Sequence, residues 1–361
     1  MNNPLSFPKL GLTLNFDRVA FSIGGFNVYW YGVVIALGFA LALIYAFKNA
    51  KKFGIDPDRM VDVVIGGMIG GIVGARLYYV AFTWDQYKDD LLSIFSTRSG
   101  GLAIYGGIIG ALLVGGLVCK WRKVKLLPMF DLTGIGFLIG QCLGRWGNFF
   151  NVEAYGSNTS LPWGMTSPSI QQELTENLST LTAQGMDINP LMPVHPTFLY
   201  ESLWCLAGFL ILNWYWKRRK FDGEVFLMYV AWYGAGRCWI EGLRTDSLML
   251  GPVRVSQVLA GVCVVVAVAA ILIIRKKMEK SSDPDYRKLY VNTEAWQEEL
   301  RRMEQSSKKK KQDAPDQATE NEPDFRIELD QPQGQTEAED SLVESEAEQQ
   351  REGEDQNEQN Y

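Results

Sequence analysis

The chain of 361 residues has a single histidine, His195, and only five cysteines, at positions 119, 142, 205, 238 and 263, each inside an apolar run. No two cysteines have the spacing of a zinc or redox motif, and a secreted disulfide framework would place them in polar loops. Buried free thiols are therefore expected, and a transition-metal site is not. Basic residues are absent where a nucleic-acid partner would need them, because no basic stripe exists outside short loops between apolar runs. Residues 150–195 contain no lysine or arginine at all.

What is present divides the chain in two. Up to Ile274 there are 21 Lys and Arg against 17 Asp and Glu; beyond it there are 14 against 24. A mildly basic, strongly apolar body therefore carries an acidic tail, and the overall mean hydropathy of −0.05 averages two unlike parts. A helix needs about 20 mostly apolar residues to cross a bilayer. Seven stretches qualify: 26–47, 61–83, 101–119, 127–149, 196–216, 223–243 and 252–274. The first is too long and begins too late for a cleaved signal peptide. The predicted fold is an all-α polytopic membrane protein with seven transmembrane helices.

Orientation follows from the basic residues of short loops, which stay on the cytoplasmic side. Lys48, Lys51, Lys52 and Arg59 follow the first stretch; Lys120, Arg122, Lys123 and Lys125 follow the third; Lys217, Arg218, Arg219 and Lys220 follow the fifth. The seventh ends in Arg275-Lys276-Lys277. These clusters alternate, which predicts the N-terminus outside and the C-terminus in the cytoplasm. The domain reading is a membrane body over 1–274, a basic, helix-prone juxtamembrane segment over 275–311, and an acidic tail over 312–361. With two arginines against 17 acids, the tail cannot bury enough apolar surface to offset its ordering entropy and is predicted disordered.

Charges within apolar spans are costly and mark function or a buried pair. On this topology Arg76, Arg145, Asn148, Asn151, Glu153, His195, Glu201, Arg237, Glu241, Arg244 and Asp246 all fall toward the outer leaflet, as do Tyr29, Tyr31 and Tyr105. The cytoplasmic halves are nearly bare of charge, apart from Asp62 and Asp131 near span ends. A solute path would spread polar groups through the whole depth; these form a one-sided pocket. Simpler roles compete for individual members. Tyr29, Trp30 and Tyr31 fit an interfacial aromatic belt, Gly66-Gly67, Gly70-Gly71 and Gly106-Gly107 fit close helix packing, Arg237 and Glu241 fit an i, i+4 bridge, and Arg76 fits snorkelling. None of these accounts for Arg145, Asn148, Asn151 and Glu153 within nine residues.

The stretch Gly144-Arg145-Trp146-Gly147-Asn148-Phe149-Phe150-Asn151-Val152-Glu153-Ala154-Tyr155-Gly156 resembles the signature of bacterial prolipoprotein diacylglyceryl transferases, G-R-x-G-N-F-x-N-x-E-x-x-G, at every fixed position. His195-Pro196-Thr197-Phe198-Leu199-Tyr200-Glu201 is similar to the family's H-P-[ST]-x-L-Y-E, and Tyr233-Gly234-Ala235-Gly236-Arg237 with Glu241 and Arg244 is similar to its Y-G-x-x-R-x-x-x-E-x-x-R helix. Trp30-Tyr31-Gly32, Gly74-Ala75-Arg76-Leu77 and Ser256-Gln257 resemble the family's first, second and last spans. The resemblance ends near Ile274. One departure is Tyr105, which stands where the family often carries a histidine proposed as base. Three roles are open to it: orienting substrate, acting with a pKa lowered by a nearby arginine, or leaving the proton to another group.

The resemblance implies an enzyme of the bacterial cell (inner) membrane, with its active site toward the extracytoplasmic leaflet. It would transfer an sn-1,2-diacylglyceryl group from phosphatidylglycerol to the lipobox cysteine of prolipoproteins, releasing glycerol 1-phosphate, without metal or organic cofactor. Arg145 and Arg237, with Tyr105, are the expected catalytic residues. Tyr31, Arg145, Asn148, Asn151, Glu153, Gly156, Glu201, Tyr233, Glu241 and Arg244 are the expected substrate-binding set, with Glu153, Glu201 and Glu241 read as holding the arginines. The partners implied are phosphatidylglycerol, prolipoprotein lipobox segments and membrane lipids, with no nucleic acid.

Overall fold

The computed structural model describes residues 4–96, 100–247, 249–250, 253–283 and 285–312. The acidic tail, from 313 onward, lies outside the described residues, and with it the predicted disorder. Residues 1–305 form one unit. It begins with two short hairpins, β1 (Leu5–Phe7) with β2 (Leu12–Leu14), then β3 (Val19–Ile23) with β4 (Phe26–Tyr29). The second turn is made by Gly24 and Gly25 at φ 56° and 84°, the left-handed pair that a two-residue hairpin needs.

Helices follow: α1 (Trp30–Asn49), α2 (Pro57–Phe82), α3 (Ile104–Trp121), α4 (Leu126–Asn151), the short α5 (Pro168–Glu176) and α6 (Leu178–Ala183), α7 (Thr197–Tyr215) and α8 (Glu224–Glu241). A small hairpin, β5 (Met249–Leu250) with β6 (Val253–Arg254), leads into α9 (Val255–Lys280), and α10 (Glu294–Gln312) closes the described chain. All seven apolar stretches fold as helices. Three begin later than their apolar runs suggest, because Phe26–Tyr29 and Val253–Arg254 pair as strands and α3 starts only at Ile104. Among the described residues the fold is helical, with three short two-stranded ribbons beside the helices. α1 with its short extension, α2, α3, α4 and α9 are long and apolar enough to cross a membrane. α7 and α8 are of similar length but contain polar groups that build the site.

α4 is the hub, packing on α1, α7 and α8, while α8 also packs on α9. Its inward residues Leu132, Ile135 and Leu138 are fully buried. α2 and α3 close on each other along glycines: a methyl on Gly74 would strike the backbone of Gly106 and Gly110, and one on Gly70 would strike Val114. Apolar side chains such as Leu113, Leu117, Val265 and Leu272 instead point away from any partner. That inversion is what a lipid surround requires.

Two caps close the bundle. At one end the lysine-free stretch 150–195 folds over a second core of Phe149, Met165, Ile170, Leu174 and Val194, joined to β1 by reciprocal backbone bonds between Ser6 and Thr166 at 2.8 Å. At the other end the segment after α9 folds back. The backbone N–H of Tyr290 donates to Asp222 at 2.7 Å, Lys125 lies 5.2 Å over the Tyr290 ring, and Arg59 pairs with Glu299 at 2.6 Å. Trp296, 1% exposed, is buried beneath. The sequence pattern gave no indication of this docking, which ties together the α1–α2, α3–α4 and α7–α8 loops.

Candidate active site

α7 and α8 are held in register by a reciprocal clasp. The indole N–H of Trp204 donates to the carbonyl of Trp232, that of Trp232 donates to the carbonyl of Trp204, both at 2.9 Å, and the rings stack at 4.5 Å. Each indole occupies space that only a glycine leaves free, Trp232 over Gly208 and Trp204 over Gly236. One turn from Trp204 is Glu201, and on the facing helix is Arg237. Their side chains meet at 2.7 Å.

Glu201 is 4% exposed and is the centre of the site. One carboxylate oxygen takes Arg237 and, at 3.9 Å, Arg244; the other takes Arg145 from α4. Arg237 also pairs with Glu241, one turn along its own helix. Arg244 is bound in bidentate fashion by Asp246, at 2.9 and 2.6 Å. The i, i+4 bridge of the sequence reading is therefore present but is one edge of a network spanning three helices.

The end of α4 supplies neutral groups. The Arg145 guanidinium reaches Asn148 at 3.4 Å, and the amides of Asn148 and Asn151 both donate to Glu153, at 2.8 and 3.2 Å. Glu153 thus serves asparagines, where the sequence reading gave it an arginine. It is presented by a turn whose flanking residues, Val152 and Ala154, both have φ 55°. This conformation is uncommon outside glycine and a true outlier for a β-branched residue, and such strain concentrates at functional sites. Gly156 completes the turn, donating to the carbonyl of His195 at 2.9 Å and bridging to Arg244.

Other expected site residues divide. The ring of Tyr31 lies on Gly147, two residues beyond Arg145 on α4, where a methyl would come within 2.7 Å of it. Tyr233 stacks on Tyr229 at 6.0 Å and, with Glu201, Trp204 and Arg237, lines a narrow pocket between α7 and α8. Tyr105 is not brought to this network: it is 45% exposed, and no hydrogen bond links it to the arginines among the described residues. Arg76 does not snorkel. It is 7% exposed and donates to the carbonyls of Ser93, Ile94, Ser96, Gly100 and Gly101, so it shapes the α2–α3 loop.

Two arginines escaped the sequence reading. Arg254 donates to the backbone carbonyls of Glu241 and, at 2.6 Å, Arg244, fixing the turn that carries Arg244. Arg18 donates to the carbonyl of Asn151 at 2.9 Å. Both stand outside the basic clusters of the opposite end, but no residue pattern marks the carbonyls they reach.

Residues 18–274 match the family model described as prolipoprotein diacylglyceryl transferase. Among similar proteins, the phosphatidylglycerol–prolipoprotein diacylglyceryl transferase of Clostridioides difficile is 40% identical over 261 residues, 72% of this chain and 96% of that protein. Its counterpart in Finegoldia magna is 42% identical over 268 residues, 74% of this chain and 99% of that protein. That of Bacillus cytotoxicus is 40% identical over 267 residues, covering 74% and 95%. With the signature residues gathered around one buried glutamate and the match spanning the whole apolar body, the chain belongs to the prolipoprotein diacylglyceryl transferase family.

Proposed function

We propose that this membrane transferase moves the sn-1,2-diacylglyceryl group of phosphatidylglycerol onto the lipobox cysteine thiol of prolipoproteins, releasing glycerol 1-phosphate. The observation that carries the reading is the sharing of Glu201 by Arg145, Arg237 and Arg244. Each guanidinium carries five N–H donors, more than Glu201, Glu241, Asp246 and Asn148 take between them, so N–H groups are left for an incoming anion, and a planar fork suits phosphate oxygens. Arg145 and Arg237 form the phosphate clamp, with Arg244 beside them. Glu201 and Glu241 orient the clamp, and Asn148, Asn151 and Tyr31 face the glycerol and phosphate.

In the reaction the substrate thiolate forms a carbon–sulfur bond at the glycerol carbon whose bond to the phosphate oxygen breaks. Negative charge moves from sulfur to phosphate, where the arginines stabilise it. The thiol proton ends on the departing phosphate monoester, so the overall transfer needs no net acid or base. A cysteine thiol of pKa about 8.5 is already partly ionised near neutral pH, and cationic surroundings raise that fraction.

The site end of the bundle faces outward in this proposal, and α7 and α8 join the five apolar helices to give seven spans. Support comes from the basic clusters, all at the opposite ends of the helices, and from their absence in 150–195. A bacterial inner-membrane location follows from phosphatidylglycerol as donor and unprocessed prolipoproteins as acceptors. The test is purified protein with phosphatidylglycerol vesicles and a lipobox peptide. The expected result is a peptide mass increase of one diacylglyceryl group; an unmodified peptide overturns the reading.

A further inference from the structure

Trp163, Tyr200 and His195 form a hydrogen-bonded row next to the Gly156 turn. The indole N–H of Trp163 donates to the Tyr200 hydroxyl at 2.7 Å, and the same hydroxyl lies 3.1 Å from Nδ1 of His195. An indole nitrogen can only donate, so it takes a lone pair of the phenol oxygen. The phenol proton then needs an acceptor, and among the described residues the hydrogen-bond acceptor it meets is His195 Nδ1. An imidazole that accepts at Nδ1 while neutral carries its own proton on Nε2. Burial also pushes the His195 pKa down from its ordinary value, which favours the neutral ring.

This arrangement is the reverse of the one that makes a histidine a base. In a catalytic triad a carboxylate accepts from Nδ1–H and leaves the Nε2 lone pair free for a proton. With the hydroxyl as donor to Nδ1, what remains free is an N–H. His195 also stands at the lip of the site. Its carbonyl accepts from Gly156, a methyl on Gly156 would come within 2.8 Å of its Cβ, and the neighbouring Thr197 is bonded to the carbonyl of Ala154.

We propose that Tyr200 is a positioning residue that holds His195 as the Nε2–H tautomer, and that His195 offers the phospholipid headgroup a neutral hydrogen-bond donor and does not act as the base. The second half rests on the reading of the arginine site as the phosphatidylglycerol site.

His195 is the only histidine, so histidine-selective nitrogen-15 labelling of the full chain in lipid nanodiscs gives one imidazole to observe. Near neutral pH, Nδ1 is expected in the pyridine-type range and Nε2 in the pyrrole-type range. Tyr200→Phe is expected to lose that preference. An Nδ1–H tautomer or an imidazolium in the unaltered protein overturns the proposal. Transfer assays then test the donor role. His195→Gln sets an amide N–H near the position of Nε2 and should keep transfer within about threefold, whereas His195→Leu should lower it by about tenfold or more. A Gln variant that falls as far as the Leu variant removes the donor role. The tautomer is read without turnover, so an expected spectrum alongside an unmodified lipobox peptide would count against the proposed reaction and leave the Tyr200–His195 assignment standing.

Discussion

The two ends of the helical bundle each bury charge, and they do it oppositely. At the site end, Arg145, Arg237 and Arg244 converge on Glu201, with Glu241 as the second buried acid. At the other end, the ion-pair partners of Asp131, Asp222 and Glu224 among the described residues are Arg219 and Arg275. The surplus acceptor capacity there is filled by backbone N–H groups: Gly223 and Phe226 donate to Asp131 at 2.8 and 2.9 Å, Tyr290 donates to Asp222, and Lys220 donates to Glu224. Outside the membrane-spanning helices, burial raises the Asp222 pKa while the Tyr290 N–H and Arg219 oppose it. The acid-rich end takes most of its donors from its own backbone, with Arg219 Nε and Asp222 Oδ1 ion-paired but without a hydrogen bond, and reads as structure. At the site end three guanidiniums from two helices and the turn after α8 gather on one carboxylate instead.

The contrast breaks most readily at the arginines. Arg145→Ala or Arg237→Ala should lower initial transfer rates by about a hundredfold or more, the effect of losing about 3 kcal/mol of transition-state stabilisation. Lysine at either position should recover little, since a point charge does not reproduce the fork. Thermal unfolding must be followed alongside, and a near-normal rate in Arg145→Ala removes it from the clamp.

Asp131→Asn sharpens the other half. It keeps the shape but removes the charge that caps α8 and faces Arg219, and breaking such a buried pair costs about 3 kcal/mol. The expected result is a clearly lower melting temperature with transfer per folded molecule within about twofold. Trp296→Ala should behave alike, at about 3 kcal/mol for the cavity left, and truncation after Lys280 should lower stability by the same route. A variant at this end that keeps its stability but loses transfer would erase the distinction between the two ends.

The smallest effect is expected at Tyr105. Because it is half exposed and unlinked to the arginines, Tyr105→Phe should change the rate by less than about threefold. A loss of a hundredfold, measured across pH, would show that α3 approaches the arginines in the working enzyme.

The helices and the main site residues were legible because they rest on patterns a sequence displays: apolar runs of span length, basic clusters on alternate loops, and polar residues inside those runs. What was not legible depends on backbone partners. Arg254, Arg18 and Arg76 all act by donating to carbonyls, and no residue pattern marks where a carbonyl will point. The cap over 150–195 and the docking of Tyr290 and Trp296 likewise arise from scattered apolar residues without periodicity. Glu153 was placed in the site correctly, but its asparagine partners depend on the left-handed turn at Val152 and Ala154.

The paired tryptophans of α7 and α8 also limit how the site can move. Each indole is hydrogen-bonded to a particular carbonyl and seated over a particular glycine. Sliding one helix by a single residue, about 1.5 Å, breaks both bonds and drives each ring into a side chain. The pair has no gradual translation available, and a shift of a whole turn, about 5.4 Å, offers no second seating, because Leu212 and Ile240 stand where the glycines would be needed. The spacing of Glu201 and Arg237 is therefore locked like a ratchet tooth, and room for a two-chain lipid must open by α4 or the loops moving away from this pair.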